Sequence, residues 1–238
     1  MGIAGYLIAL AGVTLGAVAQ GSLGFGLGML AAPVLALVDD RLVPGPLLLL
    51  GVTFTGVVAL RERADLDWRG IRWAIVGRVI GTVVGAVLVT MLAGDALAVV
   101  LGLTVLVAVG LSVAGWQLHP TTVTLLGAGT MSGVMGTLTS IGGPPIALVY
   151  QREKAATLRS TLAGFFFVGA TLSLVALTIG GDLGAAEFRD GLLLLPGLGL
   201  GLLISRPLRP YLDRGWTRPG VLGLAALASL VLVVQAIL

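Results

Sequence analysis

The stretch Gln20-Gly21-Ser22-Leu23-Gly24-Phe25-Gly26-Leu27-Gly28 breaks a long apolar run with repeated glycines. Its counterpart in the other half of the chain reads Thr137-Leu138-Thr139-Ser140-Ile141-Gly142-Gly143-Pro144-Pro145. Neither segment contains a charge. Hydrocarbon offers no water to an unpaired backbone N–H or C=O, so a broken helix persists there only when protein covers it or it lines a cavity. A matched pair of such breaks, one per half, is the sequence sign of a binding site in a secondary transporter.

The surrounding composition places these breaks in a bilayer. The chain is 57% hydrophobic and 11% charged, with a mean hydropathy of +1.09. Soluble proteins carry about 25% charged residues. The polar connections are short, which leaves no room for a soluble domain. The first charge is Asp39, so the basic n-region of a signal peptide is missing. There is no cysteine, which removes disulfides, thiol nucleophiles and lipid-modified thiols. The sole histidine, His119, precedes Pro120 and reads as a loop-capping residue, so no metal or cofactor is expected. Every Asp and Glu lies in or beside a loop. With no paired aspartate and no serine–histidine pair at depth, the chain does not read as an enzyme and no catalytic residue is expected. A pI near 10.0 comes from arginines at membrane edges. It implies contact with anionic lipid and not with nucleic acid.

A spanning helix needs about 20 apolar residues. Six runs fit simply: 43–60, 71–92, 96–115, 160–180, 188–205 and 219–237. The longer runs 2–38 and 121–150 contain the breaks. The expected fold is therefore an all-α integral membrane protein of two repeats, 1–117 and 118–238, forming a single transmembrane domain. Each repeat opens with a glycine-broken helical hairpin and continues with three transmembrane helices. Glycines at four-residue spacing, Gly77, Gly81 and Gly85 and then Gly197 and Gly201, are expected to let helices approach closely.

Charge sets the topology, because cytoplasmic loops collect Lys and Arg. If every run crossed once, the basic residues would divide weakly between the sides. If 121–150 enters and leaves on one side, Arg61, Arg63, Arg69, Arg72, Arg152, Lys154, Arg159, Arg206, Arg209, Arg214 and Arg218 share that side. Only Arg41 and Arg189 then stand opposite. Trp68, Trp73, Trp116 and Trp216 fall on the same, cytoplasmic, side, as an interfacial belt requires. Repeat symmetry extends the hairpin to 2–38. The three spans after each hairpin then run in opposite directions, an inverted-topology repeat with both termini outside. The hairpin arms come to about 13–18 residues, shorter than a comfortable crossing. Their tips are expected to meet near the midplane.

Helix starts inside a membrane point free N–H groups and a positive dipole end at the cavity, which suits an anion. Gly24, Phe25 and Gly26 in one break, and Gly142, Gly143 and Pro144 in the other, are the expected lining. Gln20, Ser22, Thr137, Thr139 and Ser140 add amide and hydroxyl donors. Arg78 is the one charge well inside a span. From sequence it either snorkels to the interface near Trp73 or attracts the anion.

Segments 21–33 and 133–148, followed by Ala156-Thr157-Leu158-Arg159-Ser160-Thr161-Leu162, resemble the TauE/SafE sulfite exporter family across the whole chain. Ser140-Ile141-Gly142-Gly143-Pro144-Pro145 is the most specific piece; Leu27, between Gly26 and Gly28, departs from the family's fuller glycine run. The resemblance implies a secondary transporter in the bacterial plasma membrane. It would export a small organic or inorganic sulfur anion, sulfite or an organosulfonate such as sulfoacetate. An anion channel with the same lining, and a cation-coupled importer of another small anion, stay open. So does a homo-oligomer.

Overall fold

The computed structural model describes residues 2–92, 95–113, 118–212 and 217–237, with backbone alone at 95, 206, 209–212, 217–221 and 237. Among these residues the chain is all-helical. The helices are α1 (Ile3–Leu23), α2 (Leu27–Val38), α3 (Gly45–Arg61), α4 (Trp68–Met91), α5 (Asp95–Val113), α6 (Thr122–Thr139), α7 (Gly143–Tyr150), α8 (Ala155–Gly180), α9 (Ala185–Leu212) and α10 (Thr217–Ile237). Six helical segments of the described residues are long and apolar enough to cross a membrane. The protein is an integral membrane protein. Trp116, Arg214 and Trp216 lie outside the described residues, and the side chains of Arg206, Arg209 and Arg218 do too.

Each break reverses the chain. Gly16 lies against Leu27 and Gly12 against Val34, so α2 returns along α1. In the second half Ser132 Oγ donates to Gly142 O across the turn from α6 to α7. α6, with 18 residues, has the expected arm length, and α1 corrects it. α1 has 21 residues, about 31 Å at 1.5 Å per residue, enough to span hydrocarbon alone. The returning arms are short, 12 residues in α2 and eight in α7. The breaks set in late, because apolar Ala, Val and Leu carry α1 unbroken through Gly12, Gly16 and Gly21.

Helix pairing is reciprocal between the halves. α4 packs on α6 as α1 packs on α9; α3 meets α8, and α5 meets α10. α4 touches α8 as α9 touches α3, and α7 touches α5 as α2 touches α10. The α4–α6 seam brings backbone to backbone. A Cβ on Gly77 or Gly81 would strike the carbonyls of Leu126 or Thr130, and one on Gly129 would strike that of Ala74. Gly197 and Gly201 meet Leu10 and Thr14 of α1 in the same way, and Thr14 Oγ1 donates to Gly197 O at 3.1 Å. In lipid such close packing replaces the hydrophobic drive between helices.

The loops sort to two ends of the bundle. At one end Tyr150 donates to Asp67 Oδ2 at 2.9 Å, the Asp67 N–H donates to Thr161 Oγ1 at 3.0 Å, and Arg159 pairs with Glu62 at 3.5 Å. At the other end Ser140 Oγ donates to Pro44 O at 2.9 Å, and Gly45 abuts Leu183. The 61–70 and 150–161 connections thus sit together, away from those at 39–45 and 181–184.

Candidate anion site at the two helix breaks

The two breaks form by related local rules. α1 ends at Gly24 in the left-handed region, φ +84°, with its N–H donating to Gln20 O at 2.8 Å. α6 ends at Ser140, also left-handed at φ +61°, with its N–H donating to Gly136 O at 3.0 Å. A left-handed residue closing a helix is usually glycine; serine there carries a cost that its bond to Pro44 offsets. α7 restarts with Pro144 and Pro145 in its first turn, where a missing N–H breaks no helical bond.

The breaks touch. A Cβ on Gly28 would strike the Ser140 carbonyl, and one on Gly143 would lie 2.9 Å from Phe25 Cβ. At this junction lies a cavity of about 60 Å³. One water needs about 10–15 Å³ on this measure, so the space suits a few waters or one small oxyanion. Gln20, Phe25 and Gly26 line it from the first break, and Ser140, Gly142 and Gly143 from the second. α3 adds Leu47, Gly51 and Thr55, and α8 adds Phe166 and Ala170.

Arg78 reaches the same cavity from α4. It does not snorkel, for only 2% of it is exposed. Nη1 donates to Ser132 O at 2.5 Å and to Ser132 Oγ at 3.1 Å. Nη2 donates to Gly169 O at 3.1 Å and to Ser173 Oγ at 3.0 Å. All these acceptors are neutral. Nε is buried without a partner, and among the described residues no carboxylate pairs with the guanidinium. The face of Phe165 lies 5.9 Å from Cζ. Room for the guanidinium comes from three glycines: a Cβ on Gly136, Gly142 or Gly169 would come within 2.5–2.7 Å of its nitrogens.

Other expected residues stand elsewhere. The hydroxyls of Ser22 and Thr139 turn back onto their own helices, bonding Val18 O at 2.9 Å and Met135 O at 2.7 Å. The Gly24 N–H caps α1 and is not offered to a ligand. Leu27 N–H, the first of α2, is taken by Gln20 Oε1 at 3.0 Å, so Gln20 acts as a clamp on the break. Thr137 stands behind Arg78 through a 2.8 Å contact with Ser173 Oγ. Pro144 lines a neighbouring cavity. Arg159 is held by Glu62 beside Gly24. Ser132, Gly136, Gly169 and Ser173 are functional neighbours that the sequence reading passes over. Only the even spacing of small residues in α6 marks the first two, and Gly169 sits in an apolar run with no motif.

A polytopic helical bundle whose two helix breaks meet around a buried cation and a small cavity has the architecture of a membrane transporter. The chain belongs to the sulfite exporter TauE/SafE family, whose model matches residues 8–232. No curated protein and no solved structure matches it.

Proposed function

We propose that this protein exports a small sulfur-containing anion, sulfite or an organosulfonate such as sulfoacetate, across a bacterial plasma membrane. The anion's oxygens occupy the cavity between the breaks. They face Arg78, the first-turn N–H groups of α2 at Gly28 and Met29, and those at the start of α7, on its N-cap Gly142 and on Gly143. Residues 1–117 and 118–238 act as inverted repeats, with both termini outside and the arginine-rich end in the cytoplasm. Their reciprocal helix pairing and the sorting of loops to two ends support this arrangement.

One observation carries the reading: Arg78 is buried against this cavity with no counter-charge among the described residues. A cation at the bilayer centre costs about 2.5–3.5 kcal/mol on insertion scales and marks an ion pathway by default. Neutral acceptors offset part of that cost, and an anion in the cavity supplies the missing charge. At about 4 Å and an effective dielectric of about 20 the attraction is about 4 kcal/mol. An anion leaving a negative interior gains about 2.3 kcal/mol per charge per 100 mV, so export needs no embedded proton carrier.

The test is flux of sulfite and of sulfoacetate in proteoliposomes under a potassium-diffusion potential of either sign. Saturable, potential-driven anion flux without a sodium or proton gradient is the expected result. Flux that requires an inward cation gradient would overturn the export reading, and silence under every potential would overturn the substrate class.

A further inference from the structure

A second cavity, of about 120 Å³, lies beside the first, and Phe25 lines both. Its other walls include Leu23 of α1, Ser112 of α5, Ala147 of α7, Gln151 in the connection to α8 and Leu158 in the first turn of α8. Gln151 and Leu158 belong to the end of the bundle where Arg159 pairs with Glu62. This chamber is therefore nearer the arginine-rich end than the Arg78 cavity.

The backbone around Phe25 is unusual. It is flanked by Gly24 at φ +84° and Gly26 at φ +136°, two conformations that side-chain-bearing residues rarely adopt. Glycines on both sides give a short segment access to backbone states closed to other residues, the property found where a chain must swing. Phe25 is 8% exposed and its Cβ side packs on the bare Cα of Gly143. An apolar constriction of this kind closes a pathway to water and ions.

We propose that Phe25 is a gate between two chambers of one path, closed in this conformation and opened by a swing of the 24–26 segment. The second chamber is then an antechamber through which an anion from the arginine-rich end reaches Arg78. That this path carries a transported anion rests on the export reading. The barrier itself does not, and its test uses no substrate.

The chain has no cysteine, so single reporters need no prior engineering. Ala170→Cys places a thiol in the Arg78 cavity and Leu148→Cys one in the antechamber. Each is alkylated with a small charged maleimide in lipid nanodiscs, with Phe25 intact or as Phe25→Ala. A closed gate implies an open state populated at about 0.1–10%, so removing the ring should speed labelling at position 170 about tenfold or more. Labelling at position 148 should be unchanged. Phe25→Trp should slow labelling at 170, and Phe25→Leu, the milder change, should show intermediate acceleration should the alanine variant fold poorly. Equal rates at 170 in every Phe25 background would overturn the gate. Equal acceleration at both positions would overturn it as well, because that reports general loosening. Gating observed in a protein that moves no sulfur anion would leave the gate standing and refute the substrate.

Discussion

The two breaks answer one problem differently. At the first, the helix repairs itself: Gln20 caps α1 with its carbonyl and clamps Leu27 of α2 with its side chain. At the second, the repair comes from a neighbour. Arg78 of α4 donates to Ser132, which donates to Gly142. The surrounding helices show the same divergence. Arg78 follows Gly77, the glycine that meets the Leu126 carbonyl; its counterpart Gly197, which meets the Leu10 carbonyl, is followed by Leu198, also buried. Halves with reciprocal packing thus differ at a position that buries a charge beside the cavity. The first break is a self-contained turn, and the second is part of an electrostatic site.

The sharpest way to break that contrast is Arg78→Leu, which gives α4 the residue that α9 carries. Sulfite flux in proteoliposomes should fall at least about 100-fold, the scale for removing a principal charge-stabilising donor. The variant should still insert and elute as a single species, because the groups that Arg78 bonds keep other partners: Ser132 Oγ donates to Gly142 O and Ser173 Oγ to Gly169 O. Normal flux in Arg78→Leu would refute the proposed site.

Gly142→Leu comes next, since its Cβ alone would approach Arg78 Nη1 to 2.7 Å. Transport should be lost while membrane insertion persists, as assayed by flux alongside protease protection. Its partner test is Gly24→Ala, where the obstacle is backbone handedness and not the guanidinium. That change should cost about 1–2 kcal/mol of stability. It should be read as a lower Tm together with slower flux, because the same glycine lets the 24–26 segment swing, and flux lost with Tm unchanged would erase the distinction between the breaks.

Ser140→Val puts a β-branched residue at φ +61°, a conformation such residues avoid. Flux should fall to background, with Ser140→Gly keeping most of it despite losing the bond to Pro44. The smallest effect belongs to Gln20→Leu, which strands the Leu27 N–H. An unsatisfied buried donor costs about 1–3 kcal/mol, so thermal unfolding should shift downward. Flux should fall only in proportion to the folded fraction.

Sequence reading reached the breaks because glycine and proline mark them chemically. The glycine spacings in α4 and α9 were equally legible, since four-residue steps place small residues on one helix face. Arg78's fate was not. Snorkelling or burial depends on whether α6 and α8 leave space, and that space is made by Gly136, Gly142 and Gly169, far apart in sequence. Hydroxyls misled for a local reason: Ser22 and Thr139 find acceptors one turn back on their own helices, a choice composition cannot reveal. Arm length misled because glycines inside α1 do not stop a helix whose remaining residues are good apolar helix formers.

The two glycine seams also bear on which bodies can move. α4 belongs to the first half of the sequence and α6 to the second, yet they share a backbone-to-backbone contact, as do α1 and α9. Like interlaced fingers, each half thus grips the long hairpin arm of the other. Pulling the halves apart as two blocks would tear both seams. Any large motion is better carried by units that cut across the two halves of the sequence, with α4 and α6 travelling as one piece and α1 and α9 as another, so that the halves of the gene are not the halves of the machine.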